Sequence, residues 1–322
     1  MKGLELAKKY YEEIGKPAIL RDVPEAASKI AAGLVGHGSE CFGFDDVLSR
    51  DHDFGPSFCI WLADEDYAQY GEALQKCYAS LPPEFAGFPA RQMTEQGGGR
   101  VGVLRISDFY EGLIGKGEAP KQENEWYMLP ESGLAAAVNG VVFEDNTGKF
   151  SGIREELLAY YPESVRLRRM AQAAALAAQA GQYNYSRLMK RGEWTAAAMA
   201  EKLFLEQAMQ LVYLLNRRYA PFYKWMHRGM KEFVILSELY DLFEQLVLLP
   251  VQKEAWESGK ENYRYGLNLA DAKVVCIETI CAGIVKELHR QGLSDVQDNY
   301  LEAHAGAILC AADECRSRAV RE

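Results

Sequence analysis

No stretch of this 322-residue chain stays apolar for the roughly 18 residues that a membrane-spanning helix needs. The N-terminal MKGLELAKKYYEEIGKP likewise has neither an unbroken apolar core nor a small-residue cleavage site, so a soluble, cytoplasmic protein is expected. Basic excess is also missing: 36 Lys and Arg stand against 46 Asp and Glu, a net charge of -10. That balance lacks the footprint that nucleic acid requires. Histidine is scarce at five residues, and no C-x-x-C pair occurs. The seven cysteines (41, 59, 77, 276, 281, 310, 315) are odd in number and mostly set in apolar runs. They read as buried free thiols of a reducing compartment, with no structural zinc. Fixed-period repeats and low-complexity tracts are absent. Hydrophobic residues at 48% and charged residues at 25% are ordinary globular values.

What is present falls into two textures, and the length suits two domains. Up to about residue 150, short β-rich runs bounded by Gly, Pro or Asp alternate with helical patterns. AAGLVGH, SFCIWLA and RVGVLRI read as strands, and residues 64–83 read as a helix stopped by Pro82-Pro83. From about 151 to 322 the chain turns Ala-, Leu- and Glu-rich with 3.6-residue periodicity. Ala197, Ala200, Leu203, Phe204, Gln207, Leu211 and Leu214 fall on one face and predict a buried stripe. The expected class is α+β: a mixed sheet with flanking helices over 1–150, then an all-α helical bundle over 151–322. The boundary is placed to within about ten residues.

The segment that suggests chemistry is GHGSECFGFDDVLSRDHDFGP, residues 36–56. Gly38 lets the backbone approach an anion, and the Ser39 N–H and hydroxyl can donate to phosphate oxygens. If Asp51-His52-Asp53 is a strand, Asp51 and Asp53 share one face, about 7 Å apart at Cα, with His52 on the other. Two carboxylates brought together repel unless a cation sits between them. Mg²⁺, held by one or two carboxylates and substrate phosphates, resolves that conflict. Alone, Gly-Ser is a common turn and Asp-x-Asp a common solvated loop; here each flanks a predicted strand.

Gly-Ser, eleven residues, then Asp-His-Asp resembles the signature of the DNA polymerase β-like nucleotidyltransferase superfamily. The longer phrases GSECFGFDDVLSRDHDFGP, GQYNYSRLMKRGE and LLNRRYAPFYKWMHR are similar to DUF4037, a bacterial group with a nucleotidyltransferase-like N-terminal domain and a helical C-terminal domain. Aminoglycoside adenylyltransferases share that layout more distantly. The resemblance implies that Gly38 and Ser39 bind a nucleoside triphosphate, most simply ATP, and that Asp51 and Asp53 bind Mg²⁺ as the catalytic carboxylates. It further implies an acceptor hydroxyl, on a small molecule or a protein, held in a cleft between the domains, and pyrophosphate as leaving group.

The family pattern also calls for a third carboxylate on a later strand, and RVGVLRI carries none. Asp108 reads as the N-cap of the following helix, and Glu95 as solvated in the turn EQGGGR; either is within chain reach of a site. Asp46, beside Asp45 and Glu40 in the intervening loop, is the favoured substitute base. Glu144-Asp145 reads as the start of a turn. Lys224 in YAPFYKWMHR is a candidate phosphate ligand among aromatics that otherwise suit a core. Lys190 and Arg191 are placed with it, whereas Arg166, Arg168 and Arg169 read as a solvated or salt-bridged helix face. Two other readings stay open: a catalytically reduced nucleotide-binding regulator, and a helical interaction protein with a vestigial first domain.

Overall fold

The computed structural model describes residues 1–51, 53–91 and 99–319. His52 and Glu95 lie outside the described residues. The chain divides into two compact units, Met1–Tyr160 and Tyr161–Glu322.

All three apolar runs expected as strands pair in one sheet. It is built from β1 (Ala31–Leu34), β2 (Cys59–Leu62), β3 (Gly102–Arg105) and β4 (Val141–Asp145), in the order β3-β2-β1-β4. β1 runs antiparallel to β2 and β4, and β2 runs parallel to β3. Both faces are covered, which is why β2 reads as continuously apolar rather than alternating. Phe58, Ile60 and Leu62 join a core with Tyr10, Tyr11, Ile19 and Leu74 from α1 (Gly3–Tyr10), the π-turn Tyr11–Gly15, α2 (Lys16–Asp22) and α3 (Asp64–Ala79). On the other face Trp61 stacks on Phe150 at 4.0 Å and meets Phe109 edge-on at 5.3 Å. Those rings come from α4 (Ile106–Ile114) and α7 (Lys149–Leu158). Phe150, fully buried in this core, ties α7 to the first unit, so the division falls after that helix. Two short helices, α5 (Glu123–Met128) and α6 (Glu131–Ala137), precede β4. Gly33 has a packing reason: a Cβ there would stand 2.5 Å from the Val141 carbonyl, at the irregularity where β1 meets β4.

The strand reading of Asp51 to Asp53 is corrected. Asp51 follows a 3₁₀ turn, Leu48–Arg50, with helical φ and ψ, and Asp53 takes φ +50°. β2 begins only at Cys59. Gly55-Pro56 is the physical reason, since proline cannot donate to a ladder and aspartate tolerates the left-handed conformation. The period-two argument for two carboxylates on one strand face therefore does not hold. Asp108 is not an N-cap either: the cap position is Arg105, and Asp108 sits in the first turn of α4. α3 ends at Ala79, before the proline pair.

The second unit contains α8 (Glu163–Ala177), a π-turn (Ala178–Tyr185), α9 (Ser186–Lys190), α10 (Trp194–Leu215), α11 (Tyr223–Gly229), α12 (Leu239–Leu248), α13 (Ala272–Arg290) and α14 (Leu301–Ala319). It is helical but not all-α, because β5 (Tyr263–Arg264) and β6 (Leu267–Asn268) form a short hairpin about Tyr265-Gly266. Of the stripe expected on α10, Ala197, Ala200, Phe204, Leu211 and Leu214 are buried, Gln207 is half-buried and Leu203 is exposed; Ala208, Val212 and Leu215 widen the buried face. Of the two readings of Arg166, solvated or salt-bridged, the second holds: it is buried, pairs with Glu163 and gives Nη1 to the Leu214 carbonyl at 3.1 Å. Five cysteines are buried as expected, but Cys310 is exposed and Cys315 half-buried. Among the described residues no helix is long and apolar enough to cross a membrane.

Candidate functional site

Strand register gathers the candidate residues. Gly33 pairs with Cys59, Cys59 with Gly102, and Leu34 with Val141. The C-terminal end of β1 therefore lies beside the N-terminal ends of β2, β3 and β4. The loop leaving β1 (Gly36 to Ser39), the segment entering β2 (Asp53 to Ser57), Gly99-Arg100 before β3 and Asn139-Gly140 before β4 all meet at this one end of the sheet. Backbone bonds stitch it: Gly102 N donates to the Phe58 carbonyl at 3.0 Å, and Gly140 N to the Cys41 carbonyl at 2.8 Å. Asn139 grips Gly36 twice, accepting its N–H at 2.9 Å and donating Nδ2 to its carbonyl at 2.8 Å. Glu144 and Asp145 end β4 at the opposite edge. There Asp145 accepts from the N–H groups of Gly148 and Ser151, forming the turn that the sequence suggested.

Gly36 and Gly38 adopt φ +117° and +133°, where a side chain is strained. Beneath Gly38 lies a buried ion pair. Glu40 Oε1 accepts from Arg91 Nη2 at 3.2 Å with both side chains more than nine-tenths buried, and Arg91 Nη1 donates to Ser57 Oγ at 3.1 Å. The Glu40 carboxylate comes so close to Gly38 that a Cβ there would stand 2.6 Å from Oε2. The loop's backbone is thus fixed from below by Glu40, an acid that the sequence reading only grouped with Asp45 and Asp46 in the loop.

Beside this loop is a cavity of about 460 Å³ lined by Gly36, His37, Gly99 and Arg100 on the polar side, by Val35, Leu104, Phe109 and Leu113 on the apolar side, and by Asp108. Its size falls in the range of small-molecule pockets. Arg100 Nη1 also reaches Asp53 Oδ2 at 3.4 Å. Desolvation first and the Arg100 charge second lower the His37 pKa, favouring a neutral imidazole. Burial pushes the Cys59 thiol up to about 12 and Cys41 well above its ordinary range. Both are poor nucleophiles despite lying under the loop.

Of the residues expected to act, Gly38, Ser39 and Asp53 come together at this end of the sheet. Asp51 is exposed two residues before Asp53. Asp46 holds the following turn, accepting from Ser49 N at 3.1 Å and Ser49 Oγ at 3.2 Å. Asp45 is buried instead, accepting from Gly3 N at 2.9 Å at the start of α1. Lys224 belongs to the second unit, on α11, with Nζ 5.1 Å from the Trp225 ring centroid. Its neighbours Phe222 and Tyr223 are exposed rather than core, while Tyr219 is buried. Lys190 likewise lies over the Tyr263 ring at 5.0 Å. Among the described residues no cluster of three or more His, Cys, Asp or Glu could hold a metal ion. Sequence reasoning passed over His37, Arg100, Arg91 and Asn139; the glycine run before Arg100, which frees backbone next to a cation, was the available signal for one of them.

Residues 126–226 match the family model DUF4037, a domain of unknown function. That segment runs from α5 into α11 and includes Lys224, but not the loop from Gly36 to Asp53 or Arg100. A solved structure, a nucleotidyltransferase-like protein from Exiguobacterium sibiricum 255-15, is similar over 93% of this chain and 91% of that one, at 12% identity and a TM-score of 0.38. A search of curated proteins finds no match.

Proposed function

We propose that this protein is a Mg²⁺-dependent nucleotidyltransferase that passes a nucleotidyl group, most simply adenylyl from ATP, to a hydroxyl and releases pyrophosphate. The observation that carries the reading is the meeting of the Gly36–Ser39 loop, Asp53 and the Arg100-lined cavity at one end of the sheet. Gly38 and Ser39 take the phosphates on backbone N–H and hydroxyl. Asp53, with the exposed Asp51 two residues before it, would hold a magnesium ion once Asp53 is released from Arg100, since Mg²⁺ is ordinarily held by one or two carboxylates with substrate phosphates, not by a full protein cage. The chemistry such an ion would supply is neutralisation of charge on the phosphates during attack at the α-phosphorus. Asp108, on the cavity wall at the start of α4, is better placed than Asp46 to accept the proton of the acceptor hydroxyl, since Asp46 is committed to its own turn. The acceptor is a small molecule or a protein side chain.

A second reading, a nucleotide-binding regulator without transferase activity, is favoured by the lack of any acid on β3 itself. The two share a first experiment, a thermal-shift panel of ATP, GTP, CTP and UTP with and without Mg²⁺. A ligand of the native state raises its melting temperature. Expected is a Mg²⁺-dependent rise in the parent that is lost in Asp51→Asn and in Asp53→Asn, both still folded. A parent that responds to no nucleotide removes both readings; a mutant that responds like the parent removes the metal assignment. Release of pyrophosphate on adding candidate acceptors then separates enzyme from regulator.

A further inference from the structure

We propose that Asp53 is the resting counter-ion of Arg100, and that a polyphosphate entering the cavity draws the guanidinium away from it. The inference rests on the proposed function only in taking the polyphosphate to be that of a nucleotide. Arg100 lines the cavity and also contacts Asp53, so one side chain serves both. Between these two side chains the contact is Nη1 to Oδ2 at 3.4 Å, longer than a good N–H···O hydrogen bond. A guanidinium carries five donors in a planar fork, and a phosphate can engage two of them at once. A forked, charge-assisted contact therefore outcompetes the long contact to Asp53.

The rest of the wall suits an anion. Gly36 and Gly99 present backbone without side chains, and His37 adds a ring nitrogen beside Arg100. Among the described residues Asp108 is the one carboxylate on the wall. Its side chain is 66% exposed and lies 3.9 Å from Arg105, which offsets its charge. Below the loop the Glu40 charge is matched by Arg91. Asp53, only 12% exposed, is among the described residues the acid paired with Arg100, and its negative charge stands in the way of an incoming phosphate there. Arg100 is 30% exposed, so its replacement leaves no large void.

Exchange gives Asp53 opposite roles with and without metal, and that is the test. Binding of inorganic tripolyphosphate is measured by titration calorimetry in EDTA for the parent, Arg100→Gln, Asp53→Asn and the double variant, with circular dichroism as the folding control. Loss of charge-assisted hydrogen bonds predicts about tenfold weaker binding in Arg100→Gln. Asp53→Asn should bind several-fold more tightly than the parent, because its arginine is released. The double variant should match Arg100→Gln, with the Asp53 gain gone. Equal binding in the parent and Arg100→Gln overturns the assignment. A gain from Asp53→Asn that persists without Arg100 also overturns it, since it would report general charge removal and not exchange. Failure of Mg-ATP to bind the parent while these results hold would sink the transferase reading and leave the polyphosphate site standing.

Discussion

Glu40 and Arg91 form an ion pair at 3.2 Å in which each side chain is more than nine-tenths buried, directly under the backbone of Gly38. Breaking a buried pair by removing one partner leaves an uncompensated charge out of water, at a cost of about 3–5 kcal/mol. Glu40→Ala is therefore expected to lower unfolding stability by about that amount, read as a fall in the urea midpoint at unchanged slope. Glu40→Leu combined with Arg91→Met should cost much less than the two single changes added together. If Glu40→Ala loses under about 1 kcal/mol, the pair is not the support that its burial implies.

Glycine separates this buried acid from the solvent side of the loop, which makes Gly38→Ala a sharp test. Its φ of +133° penalises any side chain, and the new methyl would press on both Glu40 oxygens at 2.6 and 2.9 Å. Gly43, in the same loop, also has positive φ (+72°) but open space around a Cβ. Gly43→Ala should cost about 1–2 kcal/mol, the left-handed backbone penalty alone. Gly38→Ala should cost clearly more and weaken nucleotide binding as well. Equal losses in the two variants, measured by urea denaturation, would mean that the Glu40 carboxylate moves aside freely.

The sheet was legible because its determinants are local. SFCIWLA has the apolar content of a strand covered on both faces, and Gly, Pro and Asp mark where the runs stop. The Gly-Ser loop was legible for the same reason. Asp51 to Asp53 was misread because its place just ahead of the apolar run was taken to extend the strand, whereas Gly55-Pro56, directly after Phe54, rules out continuous pairing. Arg100 and Asp53 lie 47 residues apart, and Arg91 and Glu40 are 51 apart. Periodicity within one element gives no access to such pairs; only the strand register, once known, brings them together. The same holds for Arg166, which looks like part of a charged helix face until α10 supplies the Leu214 carbonyl that its guanidinium meets.

His37 offers a pH-dependent check on the cavity wall. Its pKa is lowered, first by desolvation and second by Arg100, from an ordinary value near 6.5. The sign follows from linkage. Well above pH 6.5 the imidazole is neutral in both folded and unfolded chains and contributes nothing. As pH falls through 6.5 the unfolded chain takes up a proton that the folded chain resists, and stability is lost. In urea denaturation at pH 5, 6, 7 and 8, the stability of the parent minus that of His37→Gln should be flat from 7 to 8 and decline toward 5. The decline should shrink in an Arg100→Gln background, where the second cause is absent. A difference that is flat to pH 5, or that rises toward acid, would mean that His37 sits in solvent and does not share a wall with Arg100.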